Sequence, residues 1–207
     1  QSSNVSSKKT IRDSFCLPVD KTIFGYIGKY ETMGESKGVD EIIEAFSLAF
    51  AKNKDIYLLL VGVEDAERSK IFATIDALKL PSSSYSIFVL DQSKFAEYLV
   101  ACDVLLMNYP NTEHYAKYMS PTKLFAYLAT GLPIISSDLP SVRSVAGEEV
   151  VLYVEPGDTE KYAKVMLGVF NNLGTVNNQS DQRIRLAYNF EWPARAKRII
   201  DNLWQCN

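Results

Sequence analysis

The 207-residue chain is 47% hydrophobic and 23% charged, enough apolar material for one globular domain with a full core. A net charge of −3 and an isoelectric point near 5.3 exclude a broad basic field, so neither nucleic acid nor an anionic membrane is an expected partner. The longest apolar runs, such as 56–63, are too short to span a bilayer.

The polar N-terminus does not read as a signal peptide. Cys16, Cys102 and Cys206 are far apart and lack metal-ligand spacing, the pattern of reduced thiols in a cytosolic protein. The two N-x-S sequons, at Asn4 and Asn178, read as chance matches in polar loops. With His114 the only histidine, a multi-histidine metal site is excluded and a Ser-His-Asp triad would need that residue.

In chain order, residues 1–8 read as disordered and Lys9 to Phe15 as a short helix ended before Pro18. Thr22 to Ile27 is the first strand, closed by Gly28. The segment 28–38 is a polar loop with glycines at both ends and Lys29 and Lys37 flanking it. Val39, Ile42, Ile43, Phe46, Ala49 and Phe50 then share one helical face. Ile56 to Val61 lacks alternation, as expected of a strand covered on both sides. A helix over 64–78, a strand over 85–90, a helix over 95–101 with Tyr98 and Leu99 inward and a strand over 104–107 follow.

The loop 108–119 is long and tyrosine-rich, and it holds Glu113, His114, Tyr115 and Tyr118. His114 suits surface packing as well as function. The loop leads into a helix with Ser120 as its expected N-cap, Pro121 at its first position, Leu124, Phe125 and Leu128 inward, and Gly131 with Pro133 ending it. Ile134 and Ile135 form a strand, 141–145 a short helix and 150–154 another strand. Asp158 caps a helix over 159–170, 171–180 is a polar loop, and helices over 181–189 and 192–204 close the chain.

Alternating strands and helices with no hairpin signal make this α/β: a single domain over 1–207 with a doubly wound, mostly parallel sheet and helices on both faces. In such a sheet the loops after the strands share one edge, where ligands bind. Two of them suit an anion. One carries Lys29 and Lys37. The other opens a helix at Ser120, with Lys123 in its first turn, where a cation opposes the helix dipole unless an anion is shared.

Four ordered stretches carry a resemblance. GYIGKYETMGESKGVDEIIEAF, DVLLMNYPNTEHYAKYMSPTKLFAYLATGLPIISSDLPSVRSV, EEVVLYVEPGDTEKYAKVM and FEWPARAKRIIDNLW are similar to segments of group 1, glycogen-synthase-like, retaining glycosyltransferases. The resemblance covers nearly all of 12–205 and implies the C-terminal, donor-binding half of a GT-B enzyme. That half is Rossmann-like, and an N-terminal acceptor-binding domain of similar size is the expected partner. It implies a nucleotide-sugar substrate, UDP- or GDP-linked, with no metal and no further cofactor, and retaining transfer of a hexosyl unit to an acceptor set by the other domain. The isolated domain is then expected to be inactive. A cytoplasmic location is expected, and any peripheral attachment at the inner membrane face would come through that other domain.

The resemblance assigns Lys29 and Lys37 as the catalytic diphosphate clamps, with lysine where an arginine is usual at one of them, a change that keeps the charge and loses the bidentate fork. Gly28, Ser120, Pro121, Thr122 and Lys123 complete the diphosphate site, and Val89, Leu90 and Asp91 would face the base. The family's Glu-x7-Glu pair, for donor sugar and ribose, falls on Tyr118 and Ala126, so both carboxylates are missing. Glu113, His114, Tyr118 and Ala126 are the residues near sugar and ribose, with Glu113 a candidate to compensate. The same residues leave open a degenerate nucleotide-sugar-binding or interaction module, and the overall fold leaves open a nucleotide-sugar epimerase.

Overall fold

A computed structural model describes residues 2–32 and 34–191. Six strands form one parallel sheet: β1 (Thr22–Ile27), β2 (Ile56–Val61), β3 (Tyr85–Phe88), β4 (Val104–Met107), β5 (Ile134–Ser137) and β6 (Val151–Val154). Their order is β3-β2-β1-β4-β5-β6, so the chain winds outward one way from β1 and then the other way from β4. All six residues of β2 are buried, which explains its unbroken apolar run: a parallel strand between two helical layers has no wet face.

The helices are α1 (Ser2–Ser14), α2 (Val39–Lys52), α3 (Asp65–Ala77), α4 (Phe95–Ala101), α5 (Thr122–Thr130), α6 (Pro140–Arg143), α7 (Thr159–Asn171), α8 (Leu173–Asn177) and α9 (Ser180–Tyr188). One core joins the sheet to α2, α3 and α7, and the second joins it to α1, α4, α5 and α6. Strand alternation divides the residues: Phe24 and Tyr26 face the α2 side, Ile23 and Ile27 the α5 side.

Several expectations need correction. Residues 2–8 are helical rather than disordered, part of an α1 longer than the expected 9–15. Its anchor is Arg12, 5% exposed, which donates to the Ala101 carbonyl (2.9 Å) and to Asp103 (2.6 Å), while Asp103 accepts from Ile23 N–H (2.7 Å). The loop 28–38 contains a small antiparallel hairpin, Glu31–Thr32 against Glu35–Ser36, too short to show periodicity. The stretch read as a polar loop after α7 holds α8. It is fastened by Arg183, almost fully buried, whose guanidinium donates to the carbonyls of Val150, Gly131 and Val176. The expected helix 192–204 lies outside the described residues.

Candidate functional site

The strands β1 and β4 are neighbours from which the chain departs in opposite directions, so the crevice at their carboxyl ends is the switch point of the sheet. Their ladder runs only through Phe24↔Val104 and Gly25↔Leu105, after which the pairing stops. The last residue of β1 therefore has no β4 partner for its backbone. Tyr127 supplies one: its hydroxyl accepts from Ile27 N–H (2.9 Å) and donates to Ile27 C=O (3.2 Å). This fully buried tyrosine docks α5 on the end of β1. Lys123, four residues earlier on the same helical face, is thereby brought beside Gly28.

Gly28 has a positive φ of 148°, which side chains rarely adopt, and a Cβ there would lie 2.8 Å from Lys123 Cε and 3.1 Å from its Nζ. The next strand end is packed as closely, since a Cβ on Gly62 (φ 107°) would meet the Gly28 carbonyl oxygen at 2.3 Å. Only glycines allow this approach of two strand ends and a lysine.

The hairpin brings Lys29 and Lys37 together. Lys37 N–H donates to the Tyr30 carbonyl (3.1 Å), closing its base. The Tyr30 hydroxyl is bonded to Asp40 on α2, and Asn108, just past β4, donates to the Gly38 carbonyl (3.1 Å). Both ends of the loop are thus tied to the frame. Lys29 is exposed and Lys37 half-buried.

The three lysines feel one another. Burial lowers the Lys37 ammonium's pKa, and the charge of Lys29 adds to the effect. Burial holds Lys123 well below its ordinary value, and the charge of Lys37 lowers it further. Lys123 Nζ is wholly covered and has no hydrogen-bond partner among the described residues. It rests 3.4 Å from the centroid of the Tyr26 ring and 5.8 Å from that of Tyr109.

The helix N-terminus differs in detail from expectation. Ser120 is not the cap: Pro121 holds that position, α5 starts at Thr122, and no side chain caps it. Ser120 carbonyl instead accepts from Thr122 N–H (2.8 Å), and Ser120 and Thr122 are exposed beside Lys123 while Pro121 is buried. Gly131 ends the helix in the left-handed region at φ 71°, as its sequence position suggested. Phe125 is half-buried against Phe190 (4.8 Å between centroids), and Tyr127 takes the inward position instead.

The remaining candidates make contacts of their own. His114–Tyr118 form a single π-type turn with Tyr115 buried against Tyr109 and held by Ser141, whose hydroxyl donates to the Tyr115 carbonyl (2.6 Å). Glu113 pairs with Lys117 (3.1 Å), His114 stands edge-on to Tyr115, and Tyr118 is 72% exposed. Ala126 faces α4 and lines a groove of about 510 Å³ with Ala96, Leu99, Val100, Ala129 and Leu132. Past β3, Val89 is exposed and Leu90 partly so, while Asp91 accepts from Ser93 N–H and hydroxyl, which lowers its carboxyl pKa. Sequence reading missed Tyr26, Asn108 and Tyr127, all of them positioning rather than charged residues.

The sequence profile described as "Glycosyl transferases group 1" matches residues 21–172, most of the chain. The chain belongs to the group 1 glycosyl transferases. A structure of Anabaena Alr3699/HepE in complex with UDP-glucose shares the fold at TM-score 0.79 and 14% identity, covering 97% of this chain and 53% of that one. The C-terminal domain of a group 1 glycosyl transferase (LpcC) from Francisella tularensis matches at TM-score 0.71 and 15% identity, over 88% of this chain and 92% of that one. Sucrose-phosphate synthase from Thermosynechococcus elongatus matches at TM-score 0.69 and 22% identity, over 96% and 49%. The chain therefore spans about half the length of the full-length structures and nearly all of the isolated Francisella domain. No curated protein sequence matches it significantly. Among the described residues, no helix is long and apolar enough to cross a membrane.

Proposed function

We propose that this group 1 glycosyl transferase domain binds the donor of a retaining glycosyl transfer, with the diphosphate of a nucleotide-sugar held between Lys29, Lys37 and Lys123. One observation carries the reading. Three lysines, two on the loop after β1 and one on the first turn of α5, converge at the sheet's switch point, and the ammonium of Lys123 is covered with no acceptor among the described residues. Like charges gathered without a counter-charge cost stability, and an anion placed among them removes that cost. No side chain caps the N-terminal turn of α5 beside them, and a helix N-terminus favours an anion.

The chemistry follows from the charge. When the bond between the anomeric carbon and the phosphate oxygen breaks, negative charge grows on the leaving diphosphate, and fixed lysines in a partly dry crevice stabilise it without a metal. Transfer on the face the diphosphate leaves needs no general base from this domain. HepE in complex with UDP-glucose shares the fold, so UDP is the first nucleotide to test. Acceptor recognition belongs to the remainder of a full-length enzyme. Ala126, without a carboxylate and in a mainly apolar groove that Lys8 and Thr130 also line, favours a second reading, a domain that binds donor weakly and has lost turnover.

The test is thermal melting with UDP, GDP, ADP and their sugar conjugates. Ligand at 100 times its dissociation constant adds about 2.7 kcal/mol. A shift with one base that is lost in Lys123→Ala supports donor binding. No shift with any nucleotide contradicts it.

A further inference from the structure

We infer that Tyr26 is the positioning residue of the anion site, its ring holding the Lys123 ammonium and its hydroxyl holding the Lys29 backbone. The inference rests on the donor-binding reading above. Tyr26 is 2% exposed and lies on the α2 side of β1, so by burial alone it would pass for core. Its polar atom and its ring face are both in use, however. The hydroxyl donates to the Lys29 carbonyl (2.7 Å), and the ring centroid is 3.4 Å from Lys123 Nζ. One buried side chain thus sets two of the three lysines, although one lies in the loop after β1 and the other on α5.

The choice of an aromatic face has a chemical consequence. A carboxylate under Lys123 would satisfy its N–H donors, neutralise it and repel a phosphate. A π face attracts the cation and takes up none of its directed hydrogen-bonding capacity, so the donors are left without an acceptor that an oxygen anion would supply. The other groups that face Lys123 are Lys37, which repels it, and the more distant ring of Tyr109. The end of the lysine stem occupies the space that a side chain at Gly28 would need, with Cε 2.8 Å from where a Cβ would sit. The ammonium is held at a fixed place, poised and unsatisfied.

The experiment is calorimetric titration of UDP into the chain and into Tyr26→Leu, Tyr26→Phe, Lys123→Met and the Tyr26→Leu/Lys123→Met double variant, with each variant's melting recorded unliganded. Losing the ring contact is expected to weaken UDP binding about tenfold. The ring acts through Lys123 and the hydroxyl through Lys29, so the double variant should bind more weakly than Lys123→Met only by the small loss that Tyr26→Phe shows on its own. Losses that multiply, or Tyr26→Leu binding as tightly as wild type, overturn the inference while leaving donor binding intact. Should Tyr26→Leu fail to fold, Tyr26→Phe decides: keeping the ring should keep binding within about threefold of wild type. A loss as large as that of Lys123→Met would assign the effect to the hydroxyl and overturn the role of the ring. A wild-type chain that binds neither UDP nor GDP overturns the donor-binding reading and this inference together.

Discussion

Replacing Lys123 with Met should stabilise the unliganded domain and weaken its nucleotide binding. Methionine keeps most of the stem that packs over Gly28 and removes the ammonium. A buried donor without an acceptor costs about 1–3 kcal/mol. The Tyr26 ring returns about 0.5–2 kcal/mol of that. The net gain for Lys123→Met is about 1 kcal/mol, which raises the melting temperature of a chain this size by about 2–4 °C. The ligand arm runs the other way. UDP at 100 times the wild-type dissociation constant should raise wild-type melting by about 5–11 °C. With affinity reduced tenfold or more, the same concentration should give about half that shift or less. Differential scanning calorimetry with and without UDP measures both arms. A less stable variant would refute the idea of an unsatisfied ammonium, and an undiminished UDP shift would refute the role of Lys123 in the site.

Other perturbations test neighbouring parts of the account. The folded-state pKa values of Lys123 and Lys37 lie below the ordinary 10.5, so between those values and 10.5 the unfolded chain binds more protons and stability rises with pH. The stability advantage of Lys123→Met should therefore be largest below the lowered value and close as pH approaches 10.5, while wild-type UDP affinity falls across the same window. Melting and calorimetry over a pH series check both. Tyr127→Phe leaves the Ile27 N–H and C=O without their partner and should cost about 1–3 kcal/mol in urea unfolding, with weaker UDP binding because α5 carries Lys123. Arg12→Ala removes the buried partner of Asp103, leaving it Lys8 (2.7 Å) and the Ile23 N–H, and should cost about 1–3 kcal/mol by the same method, with UDP affinity unchanged in the folded fraction. Ala126→Glu should tighten UDP about tenfold or more and leave 2′-deoxy-UDP less affected, if ribose lies where the family resemblance places it.

Much of the fold was legible in the sequence because single residue types enforce it. The unbroken apolar run of β2, the one-sided face of α2, Asp158 as the cap of α7 and Gly131 as the end of α5 all stand where they were read. The candidate anion site was legible in part, as two lysine-bearing loops on one sheet edge. What the sequence hid was how those loops are joined. The helical spacing puts Phe125 inward rather than Tyr127, whose place emerges only when β1 and β4 are seen to part beneath it. Tyr26 reads as a core residue until Lys123 is found over its ring. The hairpin that unites Lys29 with Lys37 has two-residue strands, below the length at which alternation carries a signal. Ser120 lost the capping position to Pro121 because a serine–proline pair offers two plausible starts one residue apart, and the choice depends on how the preceding turn enters.

The most direct measurement of the central claim is the affinity of the domain for UDP against UMP, by calorimetry at one salt concentration. If the lysines grip a diphosphate, the second phosphate should tighten binding about tenfold or more, and the advantage should vanish in the Lys29→Ala/Lys37→Ala variant. Equal affinities for the two nucleotides, or an advantage that survives loss of both lysines, would contradict it.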